Sequence, residues 1–192
     1  MAEADIIAAD GRKRRSADSQ RRIVEALMAL IGEGHLVPSA DLVAERARVG
    51  LRSVFRHFKD MDSLYREMHA RLAVEMATVA AQGFTAATPR GQILELIDRR
   101  AVAFERLAPF LRAAQLHRHQ SSFLQAGHGQ LVERLRQPVL DFLADDGVPP
   151  AMMAAIELLL SFEAWQRLRV DQGLSAEAAR QTLTLAIGAL LG

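Results

Sequence analysis

This chain of 192 residues contains no cysteine, so neither a disulfide framework nor a zinc–thiolate site is possible. Half of the residues are apolar and 24% are charged, which is typical of a globular protein rather than a disordered one. No uncharged run approaches the roughly 18 apolar residues of a membrane span, and the N-terminus lacks the apolar core of a signal peptide. We therefore expect a cytoplasmic protein.

The positive charge of the chain is concentrated near its N-terminus, although the net charge is only +1. Residues 11–59 contain eleven Lys or Arg against five acidic residues, whereas residues 60–192 contain thirteen against fifteen. A local excess of positive charge is the electrostatic property expected of a surface that binds a polyanion. The basic segment is therefore the candidate binding region.

Residues 1–17 are expected to form a flexible basic arm, because they contain the run Arg-Lys-Arg-Arg at positions 12–15. An arm of this kind can act through general attraction to phosphates. It can also enter a minor groove next to the main contact.

Residues 18–64 predict a small three-helix head. The first helix starts at a cap formed by Asp18 or Ser19 and runs to about Glu33, where two glycines follow. The second helix starts after Ser39, whose hydroxyl can accept a hydrogen bond from the first turn. Apolar residues at helical spacing predict a shared core formed by Ile23, Leu27, Leu42, Val43, Val54 and Phe58.

Residues 51–58 predict an amphipathic third helix with a basic face. At 100° per residue, the apolar face comprises Leu51, Val54, Phe55 and Phe58. The opposite face contains no acid and comprises Arg52, Ser53, Arg56 and His57. These groups suit phosphate oxygens and the acceptor edge of guanine in a major groove. The alternative is an ordinary amphipathic helix whose Arg-rich face meets only solvent.

A wider pattern surrounds this helix. Ala47-Arg-Val-Gly50, followed by Ser53-Val-Phe-Arg-His-Phe58 and Lys59-Asp-Met-Asp-Ser-Leu64, resembles the helix-turn-helix signature of TetR-family transcriptional regulators. The close match covers about residues 18–66. The resemblance implies an all-α fold with a DNA-binding head at residues 18–64 and a ligand-binding and dimerisation domain at residues 65–192.

Three positions depart from the family pattern. Arg48 stands where the family usually has Gly, so a turn residue that needs positive φ carries strain. Phe55 replaces the usual Tyr and offers no hydroxyl to a phosphate. Met61 replaces the usual Lys and removes one expected phosphate contact, for which Lys59 is the candidate substitute.

The resemblance also implies how DNA would be bound. The helix at residues 51–58 would lie in a major groove, and two heads of a homodimer would meet half-sites about one helical turn apart or somewhat more. The operator should then be near-palindromic. The side chains expected to contact DNA are Ser39, Arg52, Ser53, Phe55, Arg56, His57 and Lys59.

The rest of the chain predicts helices and no sheet, because period-2 alternation of apolar residues is absent. One helix is expected at about residues 60–81. The next begins at Thr88-Pro89, an N-cap followed by proline, and runs to about Leu107. Pro109 is expected to interrupt it before a short continuation.

A further segment starts at Ser121 or Ser122 and is expected to bend at Gly127, Gly129 and Pro138. A loop at residues 145–150 precedes two closing helices at about residues 151–171 and 175–191. The last helix is apolar nearly all round, so it is either buried or part of a subunit interface. We favour the interface, formed as a four-helix bundle with a second copy.

A small-molecule pocket is implied only by the resemblance, since regulatory bodies of this family usually enclose a ligand among their middle helices. The candidate lining residues are Arg100, Phe104, Phe110, Arg112, Gln115, His117, Phe123, Met152, Phe162 and Trp165. Most of the aromatic and methionine side chains among them are expected to be plain core instead.

Motifs for catalysis or cofactor binding are absent from the sequence: there is no P-loop, nucleotide-binding glycine motif, nucleophile elbow or zincin motif. The pair His117-x-His119 points in opposite directions on a helix, so no metal site is expected. The leading hypothesis is a dimeric, ligand-responsive repressor that is not an enzyme and needs no cofactor. The competing hypothesis is a helical enzyme or protein-interaction module whose basic head does not bind DNA specifically.

Overall fold

The computed structural model describes residues 2–80, 82–119, 121–144 and 147–192, with side chains except at 2–13 and 75–80. Within these ranges the regular structure is helical and contains no strand, as predicted. The elements are α1 (Ala2–Gly32), α2 (Ala40–Ala47), α3 (Leu51–His57), α4 (Met61–Ala80), α5 (Pro89–His117), α6 (Ser122–Leu143), α7 (Pro150–Leu159), α8 (Phe162–Gln166), a π-helical turn (Arg167–Asp171) and α9 (Ala176–Leu191). No helix in the described part of the chain has the length and apolar character needed to cross a bilayer.

The chain forms two compact units. The first comprises Met1–Ala81 and the end of α5, Arg112–His117, and the second comprises Gln82–Leu111 and Arg118–Gly192. The first unit therefore contains α4 as well as the three helices expected for the head.

In the first unit, α1 packs against α2, α3 and α4. The predicted core is largely observed, because Ile23, Leu27, Val43, Val54 and Phe58 are buried. Leu42 is only half-buried, since it lies at the first turn of α2, next to the exposed cap.

The first helix is longer than the sequence predicted. It begins at Ala2, so the predicted start at Asp18 or Ser19 is wrong, and the segment expected as an arm continues α1. The carboxylate of Asp18 binds Arg21 at 2.5 Å and Arg22 at 3.3 Å, which are contacts within a helix and not those of a cap. Of the basic run, Arg14 and Arg15 are exposed, while the side chains of residues 12 and 13 lie outside the described residues.

In the second unit, two helices continue across prolines. Pro109 lies inside α5 and Pro138 inside α6, so the predicted interruption at Pro109 is wrong. A proline removes one backbone hydrogen bond, a loss that burial of the preceding residues Phe104 and Leu107 offsets. The core of this unit includes Ile93, Ile97, Phe104, Val139, Leu143, Ile156, Leu160, Phe162, Trp165, Leu183 and Ile187.

The first closing helix is divided at Ser161, whereas the sequence predicted one helix through Asp171. The Ser161 hydroxyl donates to the carbonyl oxygen of Leu158 at 2.7 Å and accepts from the backbone N–H of Ala164 at 3.1 Å. One side chain thus ends α7 and caps α8. The final helix begins as predicted, since the Ser175 hydroxyl accepts from the N–H of Ala178 at 3.1 Å.

Candidate nucleic-acid interface

The turn between α2 and α3 depends on a left-handed residue. Arg48 has φ 54° and ψ 48°, and it is the only residue other than glycine with positive φ in the part of the chain that is described. The N–H groups of Val49 and Arg48 donate to the carbonyl oxygens of Ala44 and Glu45, each at 3.0 Å. This is a Schellman ending, in which glycine usually occupies the position of Arg48. The positive φ expected there is confirmed.

The helix that follows buries only part of its apolar face. Val54 and Phe58 are buried, but Leu51 is 38% exposed and Phe55 is 48% exposed. This helix has only seven residues, and Leu51 and Phe55 lie about 40° and 80° around its axis from the midline between Val54 and Phe58. Leu51 and Phe55 thus lie outside the buried core, for which only Val54 and Phe58 were predicted from this helix.

Arg52 and Arg56 lie on the exposed side of α3, one turn apart. Neither forms an ion pair with a residue that the structure describes, and the same holds for Arg48 and Lys59 at the two ends of the helix. The Nη2 atom of Arg56 lies 3.4 Å from the hydroxyl oxygen of Ser53, at the outer limit of a hydrogen bond. These guanidinium groups are therefore available to an external anion.

Other arginines of the first unit are neutralised locally. Arg46 forms a two-point ion pair with Glu33, in which both N···O distances are 2.6 Å. Arg66 binds Asp62 at 2.8 Å within the first turn and a half of α4. Between residues 18 and 71, the lysine and arginine side chains without an ion pair therefore lie on the turn, on α3 and directly after it.

Two predicted contact residues have additional roles inside the fold. The exposed Ser39 hydroxyl accepts from the N–H of Leu42 at 3.2 Å, which confirms the predicted cap and leaves the hydroxyl hydrogen free to donate. His57 is half-buried, and its Nε2 atom is buried without a hydrogen-bond partner among the described residues. Burial, together with the positive charge of Arg56, lowers the pKa of His57 and so favours its neutral form.

The candidate ligand residues of the second unit are partly core. Phe104 packs edge-to-face on Phe162, with ring centroids 5.4 Å apart, and Trp165 lies beside them at 6.5 Å from Phe104. All three are buried. Arg100 is also buried and donates from Nη1 to the carbonyl oxygen of Leu160 at 2.7 Å. Its guanidinium group therefore makes a structural hydrogen bond inside this unit.

The remaining candidates are divided between the two units. Phe110, Phe123 and Met152 are half-buried in the second unit, whereas Arg112, Gln115 and His117 belong to the first. His117 contacts the ring of Tyr65 with centroids 5.1 Å apart. A surface depression on α6 is lined by residues outside the predicted set, namely Gln130, Glu133, Arg134 and Gln137.

One polar network was missed by the sequence reasoning. Glu105 accepts a hydrogen bond from the Trp165 indole N–H at 2.9 Å and pairs with Arg169 at 2.8 Å and 2.9 Å. These residues are 60 and 64 positions apart, so no local pattern could reveal the contact. Within the described residues, no group of three potential metal ligands occurs.

Comparison with known proteins finds similarity at the level of structure. No family model and no protein of curated function matches the sequence. The crystal structure of a TetR transcriptional regulator from Rhodococcus sp. RHA1 matches 90% of this chain and 94% of its own, with a TM-score of 0.57 and 18% identity. A TetR-like transcriptional regulator from the same organism matches 92% of this chain and 93% of its own, with a TM-score of 0.53 and 16% identity. The chain therefore has the fold of TetR-like transcriptional regulators.

Proposed function

We propose that this protein is a cytoplasmic transcriptional regulator of the TetR family that binds double-stranded DNA sequence-specifically through α3. The observation that carries the proposal is the exposed pair Arg52 and Arg56, which has no ion-pair partner in the described chain, on the second helix of a helix-turn-helix. The likeness to two solved structures described as transcriptional regulators supports it. The DNA-binding domain is residues 18–64, and residues 65–192 form the regulatory domain.

The side chains on and beside α3 make different kinds of contact with the duplex. Arg52 and Arg56 read bases or bind phosphates, because a guanidinium can donate twice to guanine or to a phosphate. Ser53, between them in sequence, donates to a base or a phosphate. Lys59 and Ser39 are exposed beside the helix and position the backbone of the duplex. His57 acts as a neutral donor or acceptor.

The active species is a homodimer, which matches two half-sites of a near-palindromic operator. Support comes from an apolar surface on α7 and α9, two helices that pack against each other. Leu158 is 66% exposed and Leu185 is 75% exposed, and the alanines at 151, 154 and 189 are exposed on the same two helices. Apolar side chains presented together by adjacent helices suit a subunit interface.

We further propose that a small molecule controls DNA binding, so that the protein acts as a ligand-responsive repressor. The effector would bind among the apolar side chains of the second unit, where Phe110, Phe123 and Met152 are half-buried and Met152 packs against the core that contains Phe104 and Trp165. A ligand that binds better to a dimer unable to reach both half-sites lowers operator affinity. A thermal-shift screen of small molecules tests this, because a ligand of the native state raises the unfolding temperature.

The decisive experiment is a binding titration with DNA from upstream of the protein's own gene, run beside a scrambled duplex of the same composition at two salt concentrations. Specific binding predicts tighter association with the upstream DNA at both salt concentrations. The R52A/R56A variant should lose this preference. The matched control R134A/R167A removes two exposed arginines from the second unit, and it should keep the preference for the upstream DNA.

The competing hypothesis makes the opposite prediction. A helical enzyme or interaction module with a basic head would bind both duplexes equally and weakly, and its affinity would fall steeply with salt. Equal binding of both duplexes by the unaltered protein would reject the regulator proposal for that operator region.

A further inference from the structure

The exposed surface of α3 carries two parallel lines of side chains. At about 100° per residue, Leu51 and Phe55 form one line, and Arg52 and Arg56 form the next line around the axis. Ser53 and His57 follow on the far side. The apolar line therefore lies directly beside the arginines and on the side away from the half-buried His57.

Phe55 is the unusual member of this surface. About half of its side chain is exposed, and Leu51, one turn earlier, is also exposed. No ring contact of Phe55 with another aromatic side chain occurs within the described residues. A phenyl ring has no hydrogen-bonding group, so it cannot bind a phosphate or the polar edge of a base.

We propose that Phe55, assisted by Leu51, contacts the C5 methyl groups of thymines in the operator and so selects thymine beside the base pairs read by Arg52 and Arg56. This inference rests on the proposed DNA-binding function. It adds a specificity determinant that depends on apolar contact and not on hydrogen bonds.

The chemistry of the major groove favours this assignment. The C5 methyl of thymine is the apolar group that a base edge presents there, whereas cytosine carries only a hydrogen at C5. Burying this methyl against a phenyl ring is favourable, and cytosine offers no equivalent apolar group. A thymine is thus preferred at the position that Phe55 covers.

The neighbouring charges argue for DNA as the occupant of this surface. An apolar protein surface placed over Phe55 would also cover Arg52 and Arg56, which have no ion-pair partner in the described structure. Removing unpaired guanidinium groups from water is costly unless an anion meets them. A duplex supplies phosphates and guanine acceptors for the arginines together with methyl groups for the ring.

The test uses duplexes selected from a random double-stranded library by the unaltered protein. In one selected duplex, each thymine is replaced in turn by deoxyuridine, which removes the methyl group and keeps the hydrogen-bonding edge. At the contacted positions we expect binding about fourfold weaker, as for loss of one buried methyl-sized group. The F55A variant should bind thymine and uracil duplexes equally at those positions, and V37A, which trims an exposed valine outside α3, should still discriminate.

The possible results of this experiment distinguish the proposed DNA-binding function from the proposed thymine contact of Phe55. If no sequence is enriched, the proposed function fails and this inference fails with it. If a sequence is enriched but the unaltered protein binds thymine and uracil duplexes equally, only the inference is overturned. Discrimination that persists in a folded F55A variant also overturns it, because the methyl contact then belongs to another residue. The thymine–uracil comparison on the unaltered protein needs no variant, so it decides the question even if F55A fails to fold.

Discussion

The guanidinium of Arg100 and the carbonyl oxygen of Leu160 form a buried hydrogen bond of 2.7 Å. Leu160 directly follows α7 as its C-cap, just before the break at Ser161, and a second guanidinium nitrogen donates to the carbonyl oxygen of Leu135 on α6. Arg100 is 6% exposed, and burial lowers its pKa to about 10. A cation at a helix C-terminus satisfies carbonyls that have no partner in the helix. Arg100 therefore links α5 to α6 and α7.

Replacing Arg100 by Met should destabilise the protein by about 2–4 kcal/mol, because it keeps the apolar stem and removes the hydrogen bonds from a charged group to buried carbonyls. Urea unfolding followed by circular dichroism measures the change. The control is R167M, which removes an exposed arginine paired with Asp171 and should cost less than about 1 kcal/mol. Equal effects of the two substitutions would show that Arg100 does not hold these helices together.

Replacing Arg48 by Gly should stabilise the protein by about 0.5–1 kcal/mol. The gain is the relief of a left-handed conformation in a residue with a side chain, reduced by the greater chain entropy of glycine when unfolded. The urea midpoint should rise without a change in slope. A matched control, R48K, keeps the side chain and should leave the midpoint unchanged. A lower midpoint for R48G would mean that the Arg48 side chain makes a favourable contact that outweighs the strain.

The parts of the fold that depend on neighbours in sequence could be predicted. Ser39, Thr88 and Ser175 each accept a hydrogen bond from an N–H three residues later, so the signal for the helix start lies within four residues. The left-handed turn at Arg48 was predicted from the family pattern, in which glycine usually stands at this position. These features need no knowledge of the rest of the chain.

Features that depend on distant packing could not be predicted. Helical periodicity placed Phe55 on the apolar face, but the width of the buried stripe depends on how α1 and α2 meet α3. The hydrogen bonds of Arg100 reach Leu160 and Leu135, which lie 60 and 35 positions away in the sequence. The break at Ser161 had a local signal, a serine ahead of an acidic first turn, but the apolar pattern continued across it. Polar contacts inside the fold, such as those of Arg100 and Ser161, therefore determine features that local sequence patterns do not predict.

Acidification should weaken the protein through His69, because burial lowers the pKa of this histidine below its usual value. Below pH of about 6.5 the unfolded state binds a proton that the folded state does not, so stability falls as the pH drops through this range. Replacing His69 by Leu should make the fall in unfolding temperature between pH 7.5 and pH 5.5 smaller, these being about one unit on either side of the reference pKa.

The matched control for this prediction is H35L, at an exposed histidine in the loop after α1. It should leave the pH dependence of the unfolding temperature as it is in the unaltered protein. An H69L variant with the full loss of stability on acidification would assign the effect to other groups.

Placing glutamates at Leu158 and Leu185 should convert the proposed dimer to monomers, because the two exposed leucines would lie in the shared apolar surface of α7 and α9. Burying four unpaired carboxylates in a symmetric interface costs far more than the apolar contact contributes. Light scattering after size-exclusion chromatography measures the mass. The control V102E/V170E changes two exposed valines of the second unit and should remain dimeric. A monomeric unaltered protein would contradict the proposal directly.

Removing Arg56 alone should weaken specific DNA binding by about 1–3 kcal/mol if its guanidinium donates twice to a guanine. In that case specificity relaxes at one base pair. If Arg56 binds a phosphate, R56A instead weakens binding to all sequences and lowers the slope of log affinity against log salt by about one. Affinity measured on the selected duplex and on single-base variants of it, at several salt concentrations, distinguishes the two roles. Full operator affinity in R52A/R56A would mean that α3 presents its arginines to solvent and that DNA, if bound, is bound elsewhere.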